Sequence, residues 1–251
     1  MPKSDLYFTQ PIMNASGILG FAPDPRGPVD ITQLGAFVTN PISHGPRTPA
    51  HGQRYQPYPG GFLLHTGLPN PGLSQVLRRY RQQWARSPVP IIVHLMAFEP
   101  TSLAQMIERL EGIEGVMGVE LGLPPEIDEA TADDFVRAAA GELPLIVRLP
   151  LEQAEPLAAA ALEAGASAVS LGAPRGKLGG MNGRMYGPGV LPLALRAVEN
   201  LAVRGIPVIG AGGLYRPRDV VDMLAAGASA VQVDALLWRD QKFPRLFENP
   251  K

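Results

Sequence analysis

The chain contains no cysteine. Disulfides, thiolate metal sites, iron–sulfur clusters ligated by this chain and a cysteine nucleophile or base are all excluded. Charge of one sign is equally lacking. Lys and Arg number 22 against 23 Asp and Glu, a net charge of −1, so no electrostatic field argues for nucleic acid or an anionic membrane surface. No apolar run approaches the roughly 20 residues of a membrane span, and the opening Met1-Pro2-Lys3-Ser4-Asp5 has no signal-peptide core. The expectation is a soluble cytoplasmic protein that binds neither nucleic acid nor membrane. The four histidines are scattered without metal-ligand spacing, and no nucleophile elbow, Walker loop or dinucleotide fingerprint occurs. No metal is expected.

What is present is ordinary globular composition, 45 % hydrophobic and 18 % charged over 251 residues, with an unusual amount of punctuation. The 28 glycines and 27 prolines fall mostly between periodic segments and read as turns and loops. Eight short, strongly apolar runs predict strands at 12–16, 36–39, 91–96, 117–121, 144–149, 168–172, 207–211 and 230–234. Helical patterns predict helices at 72–86, 101–112, 131–140, 152–164, 190–203 and 217–226, with a short one near 28–34. Runs apolar on both faces suit buried parallel strands. Eight of them alternating with helices predict an α/β fold of the (β/α)₈ TIM-barrel type, one domain over 1–251. The segment AGASAV at 164–169 returns 62 residues later at 226–231. Each copy places glycine where a left-handed helix C-cap is needed and then launches a strand. Two loops are long, 40–71 and the glycine-rich 173–189, and both are expected over the C-terminal mouth, where such barrels bind ligands.

Candidate site residues follow from position. Gly210-Ala211-Gly212-Gly213 ends the seventh strand, where backbone N–H groups can approach a phosphate because no Cβ intrudes. Asp234 ends the eighth strand. It reads as a helix N-cap or a ligand contact, and a carboxylate beside a phosphate is electrostatically unfavourable. Arg148 closes an apolar strand and needs an anion, either a ligand or a carboxylate such as Glu120. His94 lies inside IIVHLM, as a cofactor contact or a hydrogen-bonded core histidine. His65, in the long second loop, is a candidate for the pocket wall.

Several segments together resemble the dihydroorotate dehydrogenase family, class 1 type, over nearly the full length. They include PIMNASG at 11–17, GAFVT at 35–39, GGFLLHTGLPNPG at 60–72, VEL at 119–121 and LIVRLP at 145–150. GP at 187–188, IPVIGAGG at 206–213 and GASAVQV at 227–233 complete the set. The resemblance implies a flavin oxidoreductase of pyrimidine biosynthesis with FMN at the barrel mouth. The implied cofactor contacts are Ala15, Ser16, Gly17, Asn40, His94 and Arg148, then Gly187, Gly212, Gly213, Asp234 and Ala235. Arg148 would replace a flavin-contacting lysine. His65, Leu68 and Asn70 would meet the small-molecule substrate, and a homodimer is the family-implied assembly.

The departures from the family pattern are as informative. Thr39-Asn40-Pro41 stands where the pattern has Thr-Lys-Ser, and His65 where it has a substrate-binding Asn. Gly122-Leu123-Pro124-Pro125-Glu126-Ile127 replaces Asn-x-Ser-Cys-Pro-Asn, the stretch bearing the catalytic Cys or Ser, and Leu171-Gly172-Ala173 replaces an Asn-Ser/Thr pair. Taking a C5 proton from dihydroorotate needs a positioned base, an aid typically worth about 10²–10⁴-fold. The expected activity is therefore FMN-dependent oxidation of a substrate other than dihydroorotate, with a non-catalytic binding or partner subunit as the alternative.

Overall fold

All eight expected strands form. In the computed structural model, which describes residues 6–27 and 29–239, they are β1 (Ile12–Asn14), β2 (Phe37–Val38), β5 (Ile91–Met96) and β6 (Val116–Gly122), followed by β7 (Leu145–Pro150), β8 (Ala168–Gly172), β11 (Val208–Ala211) and β12 (Ala230–Val233). Their order is β1-β12-β11-β8-β7-β6-β5-β2, and every pairing is parallel. A parallel bridge between Met13 and Ala36 joins the two ends. At this thin seam the Asn14 amide helps: its Nδ2 donates to Val38 O at 2.6 Å and its Oδ1 accepts from Val38 N–H at 3.1 Å. The result is a nearly closed eight-stranded barrel.

The helices fall where the 3.6-residue period put them: α1 (Leu73–Ala85), α2 (Pro100–Glu108), α3 (Glu129–Ala139), α4 (Ala154–Glu163), α5 (Leu191–Val203) and α6 (Pro217–Ala225). A short α7 (Leu236–Arg239) follows the last strand. The described residues 29–34 hold a single 3₁₀ turn, Ile31–Gln33, in place of the expected short helix, whose first position lies outside the described residues. Most of the apolar core lies between strands and helices, Trp84, Phe37, Leu103 and Leu201 among it. A second cluster, Met13, Ala36, Val38, Ile92, Ile146, Ile209 and Ala230, fills the barrel interior. The repeated AGASAV segment does what its glycines require. Gly165 and Gly227 have φ of +118° and +108° just past α4 and α6. Ala166 N–H and Ala228 N–H then return to Ala161 O and Met223 O, satisfying carbonyls that a helix end otherwise leaves bare.

The two long loops are a correction to the sequence reading, because they contain strands. Segment 40–71 carries the hairpin β3 (Tyr55–Tyr58) and β4 (Gly61–Leu64), and 173–189 carries β9 (Arg175–Leu178) and β10 (Met181–Tyr186). The hairpins join through β4 and β10 into an antiparallel sheet of order β3-β4-β10-β9. Gly179 and Gly180, at φ +55° and +81°, form the second hairpin's turn, the geometry a two-residue connection of twisted strands demands. At the β4–β10 contact, a Cβ on Gly61 would lie 2.2 Å from Tyr186 O and one on Gly187 2.2 Å from Gly60 O. Those two glycines let the hairpin backbones meet.

Candidate ligand cavity at the barrel mouth

A cavity of about 340 Å³ lies between the ends of β1, β5 and β6 and the four-stranded sheet. Ser16 and Gly17, His94 and Met96, and Gly122 to Pro125 come to it from the barrel side. His65, Leu68, Arg175, Arg184 and Tyr186 come from the hairpins and Arg47 from the segment ahead of them, with Trp238 of α7 at the edge. Among the described residues, no Asp or Glu lines it. Arg47 is held by Gly67 O, 3.2 Å from both Nε and Nη2, and its guanidinium lies 4.9 Å from the centre of the Phe98 ring. Burial keeps the Arg184 guanidinium below its ordinary pKa. Like-charged Arg148 and Arg175 add to that effect, and Tyr186 opposes it. None of Arg47, Arg175 and Arg184 forms an ion pair among the described residues.

Under the cavity floor the strands aim five polar side chains into the barrel. Glu120 is fully buried; its Oε2 is 2.6 Å from His94 Nδ1, and its Oε1 accepts from Ser170 Oγ at 2.7 Å and Gln232 Nε2 at 2.5 Å. Arg148 Nη1 donates to Gln232 Oε1 at 2.6 Å and lies 3.6 Å from Glu120 Oε2. Burial works against ionisation of Glu120, but Arg148, His94 and Ser170 outweigh it and hold its pKa at about 2. Burial keeps His94 below its usual value despite Glu120. A neutral His94 beside an ionised Glu120 carries its proton on Nδ1. Its Nε2 is therefore an acceptor at the floor, where a Cβ on Gly122 would come within 2.7 Å of it. Such an imidazole can orient a ligand or take a proton. Of the readings open from sequence, Arg148 takes the ion pair with Glu120, and His94 is a bonded core histidine that also lines the cavity.

Of the sequence candidates, Ser16, Gly17, His65, Leu68 and His94 come together around this cavity. The others lie outside its lining. Ala15 N–H bonds to Val233 O. Asn40 Oδ1 accepts from Gly20 N–H at 3.1 Å, fixing the turn after β1. Buried Asn70 accepts from Ser43 and Gly72 N–H and donates to Ser43 Oγ and Leu68 O, so it organises its loop. Gly187 serves the hairpin junction described above. The arginines at 47, 175 and 184 were missed, because nothing in a glycine-rich or proline-rich loop reveals that separate segments fold toward one space.

The phosphate end is arranged differently from the sequence expectation. Gly213 has φ +76°, and a Cβ there would lie 2.3 Å from Leu191 N. This glycine is required by the close approach of the α5 start. Asp234 lies buried at the end of β12, and its Oδ1 accepts the Ala235 N–H at 2.5 Å. It caps the turn into α7 with its own negative charge. Ala235 also belongs to an apolar cluster with Ala173 and Tyr186, against which Phe62 and Leu64 pack. Phe62 stacks on Tyr186 at 5.3 Å, and both rings lie within 6.5 Å of Trp238. A phosphomonoester would meet a carboxylate and an apolar cover at the last-strand end of the mouth. The residues present there do not fit one.

A family model described as dihydroorotate dehydrogenase matches residues 4–140 and 119–246. The chain belongs to the dihydroorotate dehydrogenase family. Its members are flavin oxidoreductases of pyrimidine biosynthesis, generally FMN-binding. The chain is 33 % identical to the dihydroorotate dehydrogenase B (NAD(+)) catalytic subunit of Pelobacter propionicus, over 91 % of this chain and 84 % of that protein. It is 31 % identical to the protein of the same description from Pyrococcus horikoshii, over 93 % and 84 %. The dihydroorotate dehydrogenase A (fumarate) of Limosilactobacillus reuteri is 27 % identical over 94 % and 86 %. The crystal structure of ligand-free DHODH from Eimeria tenella superposes with a TM-score of 0.79 at 16 % identity, covering 98 % of this chain and 84 % of that one. That last likeness is of fold. No helix among the described residues is long and apolar enough to cross a membrane.

Proposed function

We propose that this family member has given up FMN-dependent oxidation of dihydroorotate and serves as a barrel that binds a small molecule in the arginine-lined cavity. Of the two functions the sequence left open, the geometry favours the non-catalytic binding role. One observation carries it: the Asp234 carboxylate, seated on the Ala235 N–H beneath Tyr186, takes the position at which barrels of this type hold a phosphate. Three further features support the reading. Arg148 is committed to Gln232 and Glu120 instead of projecting toward a ligand. Gly122 and Leu171-Gly172-Ala173 stand where the family pattern offers amides. The chain also has no cysteine, and the loop after β6 has no serine to act as base.

The visible absorption spectrum of the purified protein, followed by titration with FMN while Trp fluorescence is recorded, tests the proposal. The expected protein is colourless, and added FMN leaves no saturable quench. Stoichiometric FMN, as isolated or after titration, would overturn it. The departures would then concern the substrate of a flavin oxidoreductase, the other function the sequence left open.

A further inference from the structure

Arg175 and Arg184 are direct cross-strand partners in the β9–β10 ladder. Opposed residues of an antiparallel pair project from the same face, where like charges destabilise the sheet. Both line the cavity, and neither has a carboxylate partner among the described residues. Arg47 enters from the segment ahead of the other hairpin, fixed by Gly67 O and Phe98 but not neutralised by them. The floor contributes a neutral His94, and the charge of Arg148 beneath it is already matched by Glu120. Among the described residues the walls therefore carry three guanidinium charges and no acid. Arg47 and Arg184 are half-buried and Arg175 is exposed, and cations of one sign gathered around a concave space favour an anion that completes them.

We infer that the cavity is the site of a compact polyanion, a small molecule bearing two or more carboxylate or phosphate groups held by Arg184, Arg175 and Arg47. The inference rests on the reading that FMN is not the occupant. Guanidinium forks bind both carboxylate and phosphate through paired hydrogen bonds. A monoanion would leave two of the three charges uncompensated, whereas a di- or trianion neutralises most of the site. At about 340 Å³ the space lies at the lower end of ligand pockets, which run from roughly 300 Å³ upward. That size suits a metabolite of a few carbons better than a nucleotide.

Isothermal titration of the purified chain at fixed ionic strength provides the test, with citrate as polycarboxylate, inorganic pyrophosphate as polyphosphate and orotate as monoanion. One of the first two binds with a stoichiometry of one and on the order of tenfold tighter than orotate; which one prevails tells a carboxylate ligand from a phosphate ligand. Arg184→Met weakens that binding roughly tenfold to hundredfold, while Arg81→Met, on the exposed face of α1, leaves it unchanged. Arg184→Met also raises the melting temperature of the ligand-free protein, since it removes a like-charge pair, so a folded variant is expected; Arg175→Met serves as the second. The proposal is overturned if neither polyanion binds, if orotate binds as tightly, or if both arginine variants bind like the parent. FMN titrated in parallel keeps the two readings apart. Saturable FMN with polyanion binding intact overturns only the functional reading, and saturable FMN without it overturns both.

Discussion

Asp234→Asn is the perturbation on which the account of the barrel mouth depends most directly. Burial raises the pKa of Asp234 from 3.8 to about 6, against the Ala235 N–H and Arg148, which pull it down. Its folded-state proton affinity therefore exceeds that of the unfolded chain. Between about pH 4 and 6 the native state holds a proton that the unfolded state has released, and stability falls as pH rises through that window. At about 1.4 kcal/mol per tenfold in proton affinity, the ionised carboxylate destabilises the fold by about 3 kcal/mol above pH 6. Asparagine keeps an Oδ1 acceptor for Ala235 N–H and carries no charge. The variant should gain up to about 3 kcal/mol at pH 7, or roughly 6–12 °C in melting temperature for a chain of this size. The gain should shrink to nothing near pH 4. Thermal melts of both proteins from pH 4 to 8 read this directly. A gain of the same size at every pH, or a variant less stable at pH 7 than at pH 4 relative to its parent, would refute the placement of a desolvated carboxylate at this end of the mouth.

Three other outcomes follow from the same fold. Glu120→Gln leaves Arg148 buried without its counter-ion and should destabilise the fold by about 3–5 kcal/mol, with much of the loss recovered in Glu120→Gln/Arg148→Met, as urea midpoints would show. Glu120 also acts on the acid side with the opposite sign to Asp234: its pKa falls from 4.5 to about 2, so its contribution is complete above pH 4.5 and is lost as pH drops toward 2, and denaturant midpoints measured down that range should fall in the parent more than in the Gln variant. Gly213→Ala, with φ +76° and a Cβ 2.3 Å from Leu191 N, should cost more than Gly180→Ala, whose φ is +81° but whose Cβ meets nothing within 4 Å; equal losses of about 1 kcal/mol in chemical denaturation would show that only backbone conformation matters at both.

The barrel was legible from residues 12 to 234 because its information is local. Runs such as IIVHLM and LIVRL are apolar on both faces, and only strands buried on both faces use such runs. The glycines at 165 and 227 mark helix ends by a conformation other residues resist. Family membership was legible too, in short segments kept in order along the chain. The mouth was only partly legible. Ser16, Gly17, His65, Leu68 and His94, far apart in the chain, line one space. The hairpins in 40–71 and 173–189 were hidden because Pro57, Gly61, Gly176 and Gly183 break the alternation that announces a strand, and because β4 pairs with β10 across more than a hundred residues.

The sequence by itself determined that eight strands and their helices would close into a barrel and that cysteine chemistry is absent. Only the tertiary structure decided what the charged residues at the mouth meet. Whether Arg148 serves a ligand or Glu120, whether Asp234 meets a ligand or sits on Ala235 N–H, and whether three arginines far apart in the chain share a cavity are all questions of distance. Charges act through space, and the space between two residues is set by the fold, not by their separation along the chain.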